Sequence, residues 1–205
     1  MLNNISIGLF IDGGYYSKAY NDADKKNYDL KISNVMKFCI KYLSYYYNLD
    51  ERDCQIIEKH YYRGRFTAKD VRNPHGERVV EDSLIEEDVV FHYKHMTIKN
   101  EVGKEKKVIE KGIDVWFALE TYEISIARDL DIVVIFTGDG DHEMLLNKIK
   151  ALKKKAVLLT WNNLDGEGNN VSKLLREEAT LHIDINKEIE SEQKDRYEFL
   201  SRCNV

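Results

Sequence analysis

The chain has 205 residues, of which 43% are hydrophobic and 33% charged, so it can bury the core of one globular domain. Its 31 Lys and Arg against 36 Asp and Glu give a formal net charge of −5. This balance excludes overall attraction to nucleic acid, so a phosphate partner has to be held by a local patch or by a metal ion.

Four apolar segments predict strands, which in chain order are Ile5–Ile11, Cys54–Ile57 (the weakest), Ile132–Phe136 and Ala156–Thr160. Continuous apolar runs of this length are typical of strands buried on both faces of a parallel sheet. The first run has no preceding Lys or Arg and ends in an aspartate, so we interpret it as a strand and not as a secretory leader.

Apolar residues at helical spacing lie between these strands and predict the helices Ile32–Tyr47, Glu77–Phe91, Ile113–Ala127, Asp141–Leu152 and Val171–Glu178. Alternating strands and helices predict an α/β fold, a three-layer α/β/α sandwich with a mainly parallel central sheet. Between Phe91 and Glu110, two strand-like pieces flank a turn at Val102–Lys104 and predict a hairpin or a pair of edge strands.

The last twenty residues differ from the rest of the chain. Residues 186–205 carry Ile189, Tyr197 and Leu200 at the spacing of a marginal amphipathic helix. We therefore expect one domain over residues 1–185 and a C-terminal helical extension over 186–205. This extension is a candidate surface for a homodimer contact or for another protein partner.

No segment predicts a membrane partner or a disulfide framework. Apolar runs stay well short of the roughly 18 residues that span a bilayer. The three cysteines (Cys39, Cys54 and Cys203) form no CxxC pair, which excludes a cysteine zinc site. A reduced, cytoplasmic location is the resulting expectation.

Aspartates follow two of the predicted strands directly. Asp12 ends the sequence FID of the first strand, and Asp139 and Asp141 follow the third in FTGDGD. Ligands of open α/β sheets bind beyond the carboxyl ends of the strands. Each aspartate alone is equally well explained as a helix N-cap. Three together repel one another unless a cation is present, and carboxylate oxygens suit Mg²⁺ or Mn²⁺.

Other titratable residues give weaker signals. Asp114 lies in the first turn of the predicted helix 113–127, where compensation of the helix dipole is the preferred explanation from periodicity alone. His92 and His95 have a spacing found in zinc sites, but the pattern places no third ligand beside them. We therefore predict that both are surface histidines.

Residues 61–72 form a basic–aromatic segment, which we interpret as a loop. Its cations are Arg63, Arg65, Lys69 and Arg72, interleaved with Tyr61, Tyr62 and Phe66. Such a segment binds single-stranded nucleic acid through charge and stacking.

Three blocks of sequence together resemble the NYN domain family. They are the IDG after the first strand, KGIDVWFALE (111–120) and TGDGD (137–141), and the resemblance covers roughly residues 5–185. More closely, they are similar to the LabA-like branch of this family within the PIN-like nuclease superfamily. The resemblance implies a PIN-like (Rossmann-like) α/β/α sandwich whose clustered aspartates bind a divalent metal and cleave RNA.

Matched residue by residue, the resemblance implies four catalytic metal ligands: Asp12, Asp114, Asp139 and Asp141. We therefore expect a ribonuclease that uses Mg²⁺ or Mn²⁺, acts on single-stranded RNA and binds it through Arg63, Arg65, Lys69 and Arg72. All four carboxylates are expected within reach of one cation.

Auxiliary roles are expected for Thr137, which would orient a carboxylate or the attacking water, and for Glu120, a partner of the metal-binding carboxylates. The chain departs from the family pattern at three positions. Tyr15 stands where many members have Asn, Thr137 replaces Ser, and His142 replaces Phe.

Two alternatives of other classes remain open. A non-catalytic adaptor would keep the fold and bind RNA or a protein through the aromatic segment and the C-terminal helix. A Toprim-like nuclease or phosphotransferase also uses a first-strand acid and a later DxD pair (Asp139 and Asp141). Its first acid is normally glutamate, and it would leave Asp114 without a role.

Overall fold

The structure is a computed structural model that describes residues 4–65, 74–99, 107–109, 112–162, 171–192 and 194–202. No helix within these ranges is long and apolar enough to cross a membrane. Cys39 and Cys54 are buried and unpaired, and burial raises the pKa of Cys39 to about 12, so its thiol stays protonated. Cys203 lies outside the described residues.

A parallel sheet forms the centre of the fold. The strands are β1 (Ile5–Asp12), β2 (Cys54–Arg65), β3 (Val90–His95), β4 (Thr97–Lys99), β5 (Lys107–Ile109), β6 (Ile132–Phe136), β7 (Lys155–Thr160) and β8 (Leu181–Asp184). Among the described residues, six strands pair in parallel in the order β3-β2-β1-β6-β7-β8. The other two, β4 and β5, pair antiparallel, which confirms the predicted pair of strands; its turn lies outside the described residues.

Helices cover both faces of this sheet. They are α1 (Gly13–Lys25), α2 (Ile32–Tyr47), α3 (Pro74–Glu86), α4 (Ile113–Ala127), α5 (Glu143–Ala151), α6 (Lys173–Glu178) and α7 (Ile185–Glu190). One buried apolar cluster packs α1, α2, α3 and α7 on one face, with Tyr16 and Phe38 among its largest side chains. A second cluster packs α4, α5 and α6 on the other face through Phe117, Leu146 and Leu175. The three-layer α/β/α sandwich is confirmed.

The sheet is larger than its apolar runs predict. The weak candidate at Cys54–Ile57 is the start of a strand that continues to Arg65. The helix predicted to reach Phe91 ends at Glu86, because Val90 and Phe91 pair with β2 as the start of β3. Strand β8 was not predicted, since its four residues are too few to show a periodicity.

The described part of the C-terminal segment consists of two short helical pieces and not of the single amphipathic helix that its spacing predicts. Helix α7 ends at Glu190, and a separate 3₁₀ segment covers Lys194–Leu200. Ile189, Tyr197 and Leu200 are all buried in the cluster that packs against the sheet. The division at residue 185 stays a prediction.

A buried pair of histidines links β2 to β3. His60 Nδ1 lies 2.9 Å from His92 Nε2, and each ring also faces a carboxylate. Glu58 Oε2 is 2.8 Å from His60 Nε2, and Glu120 Oε2 is 3.2 Å from His92 Nδ1. His92 is only 7% exposed, so its prediction as a surface residue is wrong, whereas His95 is exposed as predicted.

This pair makes stability depend on pH. Burial, and then His60, lowers the pKa of His92 to about 4. Between that value and the ordinary histidine pKa near 6.5, the unfolded chain binds a proton that the folded chain does not. The His92 contribution to the free energy of unfolding therefore falls as pH falls through this window, by up to about 1.4 kcal/mol per pH unit.

Denaturant titrations at several pH values between 4 and 7 test this linkage. We expect His92→Gln to show a shallower loss of stability on acidification than the wild-type protein. His95→Gln, an exposed position on the same strand, is the matched control and should keep the wild-type slope. A His92→Gln slope equal to that of wild type would contradict the assignment.

Candidate active site

The connections of the sheet diverge between β1 and β6. The chain runs from β1 outward to β2 and β3, and from β6 outward to β7 and β8 on the other side. Such a switch point opens a crevice at the carboxyl ends of the two central strands. Ile11 pairs with Phe136, so the residues that follow these two positions enter the crevice together.

Asp12 closes β1 and caps α1. Its Oδ1 accepts hydrogen bonds from the backbone N–H groups of Gly14 (2.9 Å) and Tyr15 (3.1 Å). Its Oδ2 accepts a hydrogen bond of 2.9 Å from the Thr137 hydroxyl. Both oxygens of this carboxylate are therefore hydrogen-bonded. Oδ1 acts as the predicted helix N-cap, whereas Oδ2 binds the end of β6 through Thr137.

Thr137 joins the ends of β1 and β6. Its side chain is fully buried, and its hydroxyl both donates to Asp12 and accepts from the N–H of Asp139 at 3.2 Å. Asp139 in turn caps a 3₁₀ turn, with Oδ1 3.1 Å from the N–H of Asp141. The side chains of Asp139 and Asp141 are exposed to solvent.

Asp114 reaches the same edge from a third element. It lies in the first turn of α4, two residues after the N-cap residue Gly112, whose φ of +79° is favoured for glycine. Desolvation raises the pKa of Asp114; the charge of His142 opposes this shift, and the charges of Asp12, Asp139 and Asp141 add to it. The four predicted carboxylates thus lie within electrostatic reach of one another.

The type of the ligand atoms and their arrangement determine whether a divalent cation fits among the four aspartates. Four carboxylates that repel one another are the donors that Mg²⁺ or Mn²⁺ prefers. Among the residues that the structure describes, however, no three Asp, Glu, His or Cys side chains form a group that could hold one ion. The prediction of four ligands around a single cation is therefore not met. The donors fit an ion held by one or two carboxylates and water, which is usual for Mg²⁺.

The basic–aromatic segment is a strand, not a loop, up to Arg65, and its two tyrosines face the core. Tyr61 and Tyr62 are 1% and 2% exposed, so neither can stack on RNA as predicted. Arg63 lies one residue beyond Tyr62, the register partner of Asp12, and donates to Ser17 Oγ (2.8 Å) and Tyr61 Oη (3.2 Å).

The other predicted cations either contact another acidic residue or lie outside the described residues. Arg65 contacts Glu81 at 3.4 Å and lies over the ring of Tyr93, 5.0 Å from its centroid. Lys69 and Arg72 lie outside the described residues. Glu120, predicted to support the carboxylates, contacts His92 instead.

Two family departures prove to be packing residues of the site. The hydroxyl of Tyr15 donates to the carbonyl of Trp161 (3.0 Å) and accepts from its N–H (3.1 Å), which ties α1 to the end of β7. A Cβ on Gly138 would lie 2.4 Å from the Tyr15 ring, so glycine is required there. His142 is buried, with its ring centroid 4.6 Å from that of Phe117.

The signal for His142 was visible in the sequence only as a replaced phenylalanine. An imidazole fills the same aromatic position against Phe117, and its electrostatic interaction with Asp114 lowers the pKa of that carboxyl, against the larger effect of desolvation. Pattern reasoning could not find this role, because it depends on α4 and the 3₁₀ turn being adjacent.

Comparison with known proteins agrees with this architecture. A model of the NYN domain family matches residues 6–186. The chain is also similar to the crystal structure of a Vibrio parahaemolyticus protein of unknown function. The identity is 17%, the match covers 89% of this chain and 94% of that chain, and the TM-score is 0.55. At this identity the similarity shows the fold alone. No curated protein matches the chain.

Replacing Thr137 tests how firmly the two strand ends are joined. Thr137→Val keeps the shape but leaves Asp12 Oδ2 and the N–H of Asp139 without this partner. We expect a loss of about 2–3 kcal/mol in the free energy of unfolding, since the hydrogen bond is to a charged group. Thr137→Ser keeps the hydroxyl and should lose only about 1 kcal/mol, for one buried methyl. Equal losses in urea denaturation would contradict the bridging role.

Proposed function

This chain belongs to the NYN domain family, whose members fall in the PIN-like nuclease superfamily, and we propose that it is a divalent-metal-dependent ribonuclease. The observation that carries the proposal is geometric: Thr137 bridges Asp12 and Asp139 at the ends of β1 and β6, and the charges of Asp12, Asp139 and Asp141 add to the effect of desolvation in raising the pKa of Asp114. An acid cluster that destabilises its own ionised form is a common property of active sites.

Mg²⁺ or Mn²⁺ would be held by one or two carboxylates of the cluster formed by Asp12, Asp114, Asp139 and Asp141, with water completing the coordination. The ion would polarise the scissile phosphate and lower the pKa of a water molecule. The protein's own contribution is positional. Thr137 fixes the carboxylate of Asp12 through one hydrogen bond, and Asp139 uses only Oδ1 in its own turn.

RNA is the proposed substrate of this acidic chain. Arg63 follows the register partner of Asp12, and its guanidinium donates to Ser17 on α1, while Lys69 and Arg72 continue the same basic segment in the sequence. A cation bound among the aspartates would reverse the sign of the local potential, so that a polyanion can approach. Cytoplasmic location and single-stranded substrates complete the proposal.

An adaptor on the same fold is the second candidate. It is favoured by one observation, namely that no three described side chains form a group able to hold a metal ion. The Toprim alternative is set aside, because the NYN model accounts for residues 6–186 and includes Asp114.

Asp139→Asn separates the enzyme from the adaptor. Asn removes one charge from the cluster and keeps an oxygen for the cap, so the metal-free protein should unfold at an equal or slightly higher free energy, within about 0.5 kcal/mol. We expect cleavage of single-stranded and structured RNA in Mn²⁺ or Mg²⁺ to fall by about 100-fold or more, and EDTA to abolish it.

Thermal unfolding with and without Mn²⁺ is the companion measurement. Wild type should be stabilised by the ion, because a ligand that binds only the folded state shifts the equilibrium. The variant should be stabilised much less. Asp82→Asn, an exposed position on α3, is the control. An Asp139→Asn protein with normal cleavage and a normal Mn²⁺ shift would contradict its role as a ligand.

The two described arginines of the basic segment should differ in RNA binding. Arg63→Ala removes the cation beside Asp12, so affinity should fall and the salt dependence of binding should decrease by about 0.7 in log–log slope. Arg65→Ala should have a smaller effect, since Glu81 already offsets its charge. Filter binding over a salt series measures both, and an Arg63→Ala protein with unchanged affinity would contradict the assignment.

A further inference from the structure

A groove between α4 and α5 leads away from the aspartates. It has a volume of about 440 Å³ and is lined by Leu119, Tyr122, Asp141, Met144, Leu145 and Lys148. Leu119 is 59% exposed and Met144 is 65% exposed, so large apolar side chains here remain in contact with water. Exposed apolar surface of this kind beside a polar site marks a place where a ligand binds.

Both ends of the groove carry charge. Asp141 belongs to the acid cluster and also lines the groove, so the two are continuous. Lys148 lies one helical turn after Met144 on α5 and presents an exposed ammonium group. A ligand seated here would therefore place an apolar portion between the two helices and a negative group near Lys148.

We propose that this groove, which we call the α4–α5 groove, is the subsite for an unpaired base of the RNA substrate. The inference rests on the proposed function and extends it to the substrate class. The faces of a nucleobase are apolar and match the exposed side chains of Leu119 and Met144, beside the partly buried Tyr122 that also lines the groove. The neighbouring phosphate is matched by Lys148, whereas the next phosphate along the strand is at Asp141 and the acid cluster.

Occupation by a base predicts that binding requires bases and not only phosphates. Two fluorescent decamers are compared by anisotropy in Ca²⁺, a single-stranded RNA and a chain of stable abasic ribose phosphates with the same charge. We expect Leu119→Ala and Met144→Ala each to weaken RNA binding about five- to tenfold, since each removes apolar contact area. Binding of the abasic decamer should not change.

The control for these variants is Leu174→Ala on α6. Leu174 is 58% exposed but does not line the groove, so the same substitution should leave both affinities unchanged. Lys148→Gln should weaken both decamers and lower the salt slope by about 0.7, because it removes a phosphate contact. All three groove positions are on the surface, and thermal unfolding should confirm that each variant folds.

The outcomes separate this inference from the proposed function. Wild-type RNA affinity in Leu119→Ala and Met144→Ala would overturn the base subsite, even if Mn²⁺-dependent cleavage is found. Equal losses for RNA and abasic decamers would also overturn it. A dimer in wild type that these variants dissociate would assign the groove to a second copy of the chain. If these variants lose affinity for RNA but not for the abasic decamer, and the wild-type protein does not cleave RNA, the base subsite is supported and the proposed nuclease activity is contradicted.

Discussion

One buried hydroxyl determines how the candidate site is assembled. Thr137 donates to Asp12 and accepts from the N–H of Asp139, so the two central strands end in a fixed arrangement. The carboxylate of Asp12 is held by three hydrogen bonds and has little freedom to turn. The 3₁₀ turn after β6 then positions Asp139 and Asp141 near Asp12, and the first turn of α4 positions Asp114 there.

Gathering these charges destabilises the metal-free fold. A carboxyl group whose pKa is raised in the folded state is ionised less readily there than in the unfolded chain. Ionised Asp114 therefore opposes folding at neutral pH. Among the described residues, no three side chains form a group that could hold a cation without added water ligands. The electrostatic interaction of His142 with Asp114 acts in the opposite direction to desolvation, from a position where the ring packs against Phe117. A bound cation would remove the rest of this penalty.

The sequence predicted those parts of the site that depend on strand ends. Asp12, Asp139 and Asp141 follow continuous apolar runs, and parallel strands bring such positions to one edge whatever the details of packing. Strand ends could not assign Asp114 to the site, because its position depends on how α4 packs. That assignment came from the resemblance to the NYN domain family. Tyr61 and His92 were misassigned for a related reason. Whether an aromatic or histidine side chain is buried cannot be predicted from the sequence until the neighbouring strand is known.

The same limit applies to the edges of the sheet. Strand β8 is too short to show a period, and β2 continues through residues whose charge suggested a loop. Pairing with neighbouring strands, not composition, determined both. The α4–α5 groove was likewise invisible, since its lining comes from two helices separated in sequence and only their packing leaves Leu119 and Met144 exposed.

The central claim is that four carboxylates share one electrostatic site that accepts a divalent cation. Carboxyl ¹³C NMR of the labelled protein, titrated with acid in the absence and presence of Mg²⁺, measures it directly. We expect a pKa for Asp114 above the ordinary aspartate value without metal, and a fall in that pKa when Mg²⁺ is added. A normal Asp114 pKa that does not respond to Mg²⁺ would contradict it.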